Sequence, residues 1–310
     1  MKYLRLFAIG IFLGNISCSI FRSGYRYPPL KKSDRIEVYG HRGEAGHYPE
    51  NTIPGFLSAV QKGVDAVELD VVISKDKKVV VSHEPFMASH YMLDEKGKPI
   101  SKKKQHSYNL YEMNYDSIRK FDSGSKMNRS FPKQRKFPTF KPLLETVFDQ
   151  VENYIETNDR PSIKYMIEVK SSPQSYNIHQ PEPQEFVDLI MEVITSRNLE
   201  KRVIIKSFDP RILNTVHASH PSIETSYLVS KVGIDRNLSY LEFTPTIYSP
   251  RHKLIKNRQF VDSIRSKNMK LVPWTVNRPK KIKRMIKLGV DGIISDYPER
   301  VFKELNNRNN

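Results

Sequence analysis

One cysteine, one tryptophan and thirteen glycines are spread over 310 residues. A lone cysteine excludes any disulfide within the chain, so stability has to come from an apolar core. The apolar stretch from Leu6 to Gly14 falls short of the ~20 residues that a membrane-spanning helix needs. There is no internal repeat and no extended low-complexity tract, which sets aside solenoids and fibrous chains. Acids are scarce relative to bases, 34 against 51, leaving a net charge of +17. An excess of that size serves solubility and attracts anionic partners such as phosphate esters, acidic lipid headgroups or nucleic acid. Nucleic acid is not expected as a partner, because the basic residues are scattered and no recognition module is present.

The first residues, "MKYLRLFAIGIFLGNISCSIF", place Lys2 and Arg5 before the apolar stretch and small residues after it. This is the layout of a signal peptide, expected over residues 1–18. Cys18 stands where a bacterial lipoprotein signal carries its lipidated residue, although Asn15 departs from the usual leucine three positions earlier. The alternative is an ordinary cleaved leader. Either reading puts the mature protein outside the cytoplasm, in the periplasm or cell envelope, with Cys18 as a possible membrane anchor. Residues 19–34 read as a linker and residues 35–305 as one folded domain.

From Ile36 onward, strand-like runs alternate with helix-like ones, the pattern of a parallel sheet with crossover helices. The strand candidates are "IEVYGH", "AVELDVVIS", "KVVVSH", "YMIEVK", "RVIIKSF", "ETSYLV", "EFTPTIY", "MKLVPWTV" and "DGIISDY". Nine is one more than a closed eight-stranded barrel holds. The second and third are joined only by "SKDKK", too short for a parallel crossover, so an antiparallel hairpin is predicted there. Helical spacing is clear in "TIPGFLSAVQKG", "EFVDLIMEVITSRN", "PRILNTVHASH", "NRQFVDSIRSKN" and "RPKKIKRMIKLG". Glu84 to about Thr139 breaks the alternation and reads as a long insertion; loops of that length usually serve a site or are disordered. The fold class expected is therefore α/β, a TIM-type (β/α)8 barrel with an inserted segment.

Polar residues recur at or near the ends of the strand runs: His41 and Arg42, Glu68 and Asp70, His83, Glu168 and Lys170, Ser207, Trp274 and Asn277, and Asp296. In an α/β barrel the C-terminal strand ends converge on the catalytic face. Glu68 and Asp70 are two apart on one strand and so share a side of it. With Glu168 they make three carboxylates in one place, which repel one another unless a cation lies between them. An all-oxygen set suits one hard divalent cation, Mg²⁺ or Ca²⁺, better than Zn²⁺. The hairpin returns His83 toward Asp70. Two imidazoles, a cation and basic side chains are the equipment for cleaving a phosphodiester.

The ordered segments "GHRGEAGHYPENT", "VELDVVISKDKKVVVSHE", "IEVK", "IKSFDP", "VPWTVN" and "GVDGIISDYPE" resemble the glycerophosphodiester phosphodiesterase family, from about Val38 to Glu299. The resemblance implies an α/β barrel with an insertion after the second histidine, acting on small-molecule glycerophosphodiesters. It implies His41 and His83 as acid and base, and Glu68, Asp70 and Glu168 as ligands of one divalent cation. Arg42 and Lys170 would contact phosphate, Phe208 and Trp274 would line the pocket, and Glu50 and Asn51 would brace the first loop. The adjacent glycerol hydroxyl would attack phosphorus, giving an alcohol, a cyclic phosphate and finally glycerol 3-phosphate. The chain departs from the family at Glu84, where Asp is usual, and at Lys77, where Gly is common. Two other readings compete: a lysophospholipase D, with an apolar groove supplied by Phe86, Met87, Tyr91 and Met92, and a non-catalytic module that binds anionic lipid or polymer.

Overall fold

The structure, a computed structural model, describes residues 35–309; the leader, Cys18 and linker expectations lie outside them. The nine strand candidates form β1 (Glu37–Gly40), β2 (Ala66–Ile73), β3 (Val79–Val81), β4 (Lys164–Val169), β5 (Val203–Ser207), β6 (Glu224–Val229), β7 (Ile247–Pro250), β8 (Lys270–Leu271) and β9 (Gly292–Ser295). All but β3 run parallel, in the order β8-β7-β6-β5-β4-β2-β1-β9. Between the two ends of that order, Asp291 N–H donates to Leu271 O (2.9 Å), Ile294 N–H to Pro273 O (3.1 Å) and Val276 N–H to Ile294 O (2.9 Å), which closes the barrel. Pro273 has no N–H to donate, and this keeps β8 short. For the same reason β7 starts only after Pro245, later than the run "EFTPTIY" suggests.

The helices are α1 (Ile53–Gln61), α2 (Tyr115–Ile118), α3 (Leu144–Thr157), α4 (Pro183–Thr195), α5 (Pro210–Ser219), α6 (Ile234–Leu238), α7 (Arg258–Arg265), α8 (Pro279–Leu288) and α9 (Pro298–Asn309). None among the described residues is long and apolar enough to cross a membrane. The excess strand β3 is the antiparallel arm of a hairpin with β2, in register Val71 to Val81 and Ile73 to Val79. Its turn places Lys77 at φ 59°, a left-handed conformation that costs a non-glycine residue about 1–2 kcal/mol.

The barrel interior is layered by strand alternation. Tyr39, Ala66, Met166, Ile204, Ile247, Val272 and Ile294 pack together as an inner apolar floor. Two residues further along their strands, on the same side, come His41, Glu68, Glu168, Lys206, Ser249, Trp274 and Asp296. The polar layer thus stands directly on the apolar one. Outward-facing residues such as Leu69, Ile167 and Ile205 pack against Phe56, Phe148, Phe186 and Ile212 of the surrounding helices.

Residues 84–139 fold onto the outside of the hairpin. Met87, Ala88, Tyr91, Met92, Ile100, Leu110, Ile118 and Phe121 form a separate apolar cluster with Val72, Val80 and Leu143. Met87 and Met92 are 0% exposed and Tyr91 3%, so these three side chains fill a closed core and do not line a groove, while Phe86 packs partly buried at its edge. The far part of the segment returns to the first loop: Gln134 Nε2 donates to Ala45 O (2.8 Å) and Tyr48 O (2.7 Å), and Arg135 N–H to His47 O (2.8 Å). Met92→Ala is expected to cost about 2–5 kcal/mol by leaving a cavity in this small core. Hydrogen exchange followed by mass spectrometry should then show residues 86–123 opening before the barrel strands; uniform protection across both would show that the two clusters unfold as one.

Candidate active site

The first loop is built on glycines and strained backbone. A Cβ on Gly40 would lie 2.3 Å from Gly43 O, and one on Gly43, at φ 83°, would lie 2.7 Å from Gly55 C; neither position accepts a side chain. Arg42 (φ 51°) and Asn51 (φ 56°) are also left-handed, the former at about 1–2 kcal/mol. Hydrogen bonds hold both: Arg42 N–H donates to Glu68 Oε2 (3.0 Å) and Asn51 N–H to Arg42 O (3.0 Å). The result aims the Arg42 guanidinium at Glu50 Oε1 (2.7 Å) and Asp70 Oδ2 (3.2 Å).

Glu68, Asp70 and Glu168 each bring an oxygen within 4.8 Å of the others, and all three are buried. Asn51 grips Asp70 from two sides, Nδ2 donating to Oδ2 (2.8 Å) and Oδ1 accepting from Asp70 N–H (3.2 Å). Lys170 Nζ stands 2.5 Å from Glu168 Oε1 and 3.5 Å from Asp70 Oδ1. Burial works to raise the Asp70 carboxyl, yet Lys170 and Arg42 hold it well below the usual carboxylate range. Glu68 is likewise lowered: Lys206 and His41 outweigh its desolvation. Asp70 Oδ1 accepts no hydrogen bond although fully buried. A charged, converging oxygen set with one lone-pair site left open fits a hard divalent cation.

Each histidine is backed by a carboxylate. His41 Nδ1 lies 2.5 Å from Asp296 Oδ1, and its Nε2 3.9 Å from Glu68 Oε2. Asp296 is itself fixed by Asn277, which donates from Nδ2 to Oδ2 (2.5 Å) and accepts from the Asp296 N–H (3.0 Å). Burial disfavours charge on His41, but Asp296 and Glu68 more than offset it and its pKa is raised. His83 Nδ1 lies 2.9 Å from Glu84 Oε1. Glu84 Oε2 accepts from Tyr91 OH (3.1 Å), and buried Lys141 donates to Tyr91 OH (3.1 Å) and Ser82 Oγ (2.7 Å). Despite burial, the hydrogen bond to His83 holds Glu84 at about 2. Ser82 N–H donates to Asp70 O (2.9 Å), which ties the hairpin to the cluster.

Phe208 and Trp274 meet edge to face, centroids 5.5 Å apart at 88°, and Trp274 Nε1 donates to Ser249 O (2.9 Å). Phe208 remains 42% exposed, as an aromatic rim requires. Sequence reading overlooked Lys206 and Lys141. Both are buried lysines whose only signal is a lysine next to apolar residues.

Replacing Asp296 by Asn is expected to lower the His41 pKa, since the largest offset to its burial is removed. A pair with His41 raised and Asp296 lowered stabilises the fold between those two values. Its contribution fades as pH rises through the His41 pKa, or falls through that of Asp296. NMR titration of the imidazole in chelator-treated protein, together with melting curves from acidic to mildly alkaline pH, should show wild type exceeding Asp296→Asn most at mildly acidic pH. An unchanged His41 titration would remove Asp296 as its partner.

Comparison with known proteins agrees with this geometry. Residues 41–300 match the glycerophosphoryl diester phosphodiesterase family. A glycerophosphodiester phosphodiesterase of Bacillus altitudinis is 31% identical over 271 residues, covering 86% of this chain and 97% of the relative. A crystal structure from Silicibacter pomeroyi DSS-3, named provisionally as a glycerophosphoryl diester phosphodiesterase, is 28% identical with a TM-score of 0.79, covering 88% of this chain and 94% of that one. A phosphodiesterase of Oleispira antarctica, solved with the product sn-glycerol-3-phosphate, shares the fold at 20% identity with a TM-score of 0.67, covering 87% of this chain and 96% of that one. A match from the first histidine to the start of the last helix, on a barrel of the same build, establishes that this chain is an enzyme of the glycerophosphoryl diester phosphodiesterase family.

Proposed function

We propose that the protein is a divalent-cation-dependent hydrolase that converts glycerophosphodiesters to an alcohol and glycerol 3-phosphate. The observation that carries this reading is the convergence of Glu68, Asp70 and Glu168, with an open Asp70 oxygen, on a barrel end that also carries two carboxylate-backed histidines. Those three residues would hold the cation, Mg²⁺ or Ca²⁺, which neutralises phosphoryl charge when bound. Arg42 and Lys170 lie beside the same oxygens and would turn toward a phosphate. Phe208 and Trp274 would flank the alcohol side of the substrate.

In this reading one imidazole takes the proton of the glycerol hydroxyl adjacent to the ester as its oxygen bonds to phosphorus. The other gives a proton to the departing alkoxide as the phosphorus–oxygen bond to the alcohol breaks. His41, whose charged form Asp296 and Glu68 favour, is suited to the donor role. Water then opens the cyclic phosphate with the two roles exchanged, giving glycerol 3-phosphate. The closed core around Met87 and Met92 favours small glycerophosphodiesters over lyso-lipids.

Incubation with a panel of glycerophosphodiesters and lyso-lipids, with and without chelator, should release glycerol 3-phosphate and the matching alcohols only when cation is present. His41→Ala and His83→Ala are each expected to lose about 10²–10⁴-fold in kcat at any cation concentration. Glu68→Ala should recover part of its activity as cation is raised. Near wild-type turnover in both histidine variants would refute the acid and base assignment.

An extracytoplasmic location with a lipid on Cys18 completes the proposal, supported by the leader-like residues 1–18. Cys18→Ser should release the protein from the membrane fraction or leave the leader attached. Unchanged fractionation and unchanged mass would exclude the anchor.

A further inference from the structure

Among the carboxylates proposed to hold the cation, the chain places a cation of its own. Lys206 lies on β5, its side chain 2% exposed, with Nζ 2.7 Å from Glu68 Oε1 and 3.8 Å from Glu168 Oε2. Its register neighbours are Glu168 on β4 and Ser226 on β6, and the residue below it on the same side, Ile204, belongs to the apolar floor. Lys206 differs in this from Lys170 and Arg42, whose side chains are each 17% exposed. Those two can exchange a carboxylate for a substrate oxygen. Lys206 is enclosed, and among the described residues Glu68 is the acceptor of its hydrogen bond.

Three buried carboxylates close together destabilise one another unless positive charge compensates them. A fixed ammonium in contact with two of them does so whether or not a divalent cation is present. It also repels an incoming cation and occupies one Glu68 oxygen that would otherwise be free to coordinate. We propose that Lys206 is a built-in counter-charge that sets the affinity of the Glu68, Asp70 and Glu168 cluster for its divalent cation. It offsets their mutual repulsion and holds Glu68 in place when the cation leaves, and makes the cation exchangeable rather than permanent. The inference rests on reading those acids as cation ligands.

A plain structural ion pair and a counter-charge differ in what its removal does. Loss of a structural pair lowers stability equally with and without cation. Loss of a counter-charge lowers the stability of the cation-free protein but tightens cation binding, so added cation closes the gap. The test uses chelator-treated full-length wild type, Lys206→Met, which keeps the length without the charge, and Lys206→Arg, which keeps the charge. Ca²⁺ and Mg²⁺ binding is measured by calorimetry and by displacement of luminescent Tb³⁺, and melting is followed with and without saturating Ca²⁺.

Lys206→Met is expected to bind Ca²⁺ on the order of tenfold or more tighter than wild type, the consequence of removing a unit charge a few ångströms from the ion. It should melt well below wild type in chelator and approach it in saturating Ca²⁺, while Lys206→Arg stays near wild type in both. If Lys206→Met folds only with Ca²⁺ present, the proposal is supported in its extreme form, and affinity is read from melting against Ca²⁺ concentration. Equal or weaker Ca²⁺ binding in Lys206→Met, or an equal loss of stability with and without Ca²⁺, would overturn the proposal and leave the cation site standing. Wild type that takes up none of the three ions would remove the cation site itself, and the proposal with it.

Discussion

Mutual repulsion among carboxylates enclosed at the barrel mouth is the constraint around which the rest of the molecule is arranged. Glu68, Asp70 and Glu168 are buried, and the first loop and the strands β4 and β5 each contribute a group that offsets or holds their charge. Lys170 comes from the end of β4, Lys206 from β5, and the first loop supplies Arg42 and Asn51. That loop reaches them only because Gly40 lets its backbone fold back on Gly43, Gly43 lets it lie against Gly55, and two residues accept left-handed conformations. Strain and charge compensation therefore belong to one local balance, and the strained residues are the ones that touch the acids.

The two histidines are held by carboxylates from very different places. Asp296 follows the last barrel strand, so the orientation of His41 depends on the pairing of β1 with β9. Glu84 opens the insertion, and its second oxygen is fixed by Tyr91 from within that insertion. Lys141, just past the far end of the insertion, joins the same network through Tyr91 and Ser82. His83 thus depends on the insertion being folded, whereas His41 depends on the first and last barrel strands being paired.

Much of this was legible in the order of residues. Apolar runs rich in valine and isoleucine marked every strand, and the short "SKDKK" connection separated the hairpin from the barrel, as the register of Val71 with Val81 bears out. What escaped is instructive. Lys206 in "RVIIKSF" reads as one polar residue alternating with apolar ones, and only barrel closure turns that side of the strand inward. Asn277 and Asp296 stood out as strand-end polar residues, but their pairing requires β8 and β9 to meet. Helix α3 was passed over although Leu144, Val147, Phe148, Val151 and Ile155 have helical spacing; it has no side-chain cap and follows directly on the irregular insertion. The competing lyso-lipid reading set the insertion's methionines and tyrosine along a groove, whereas they pack into a core, because a segment without periodicity does not reveal which of its apolar residues face inward.

The hairpin strand β3 also fixes where the insertion begins and ends. Val80 pairs with Leu143, and Val81 N–H donates to Pro142 O at 2.8 Å, so the chain leaves and re-enters the barrel through a single doorway one strand spacing wide. A segment with adjoining ends can lengthen, shorten or be exchanged without altering the phase of any βα unit around it. Because Glu84 and Tyr91 lie inside that doorway, any such exchange also replaces the groups that aim His83. In this architecture the inserted segment and the alignment of His83 are inherited as one module.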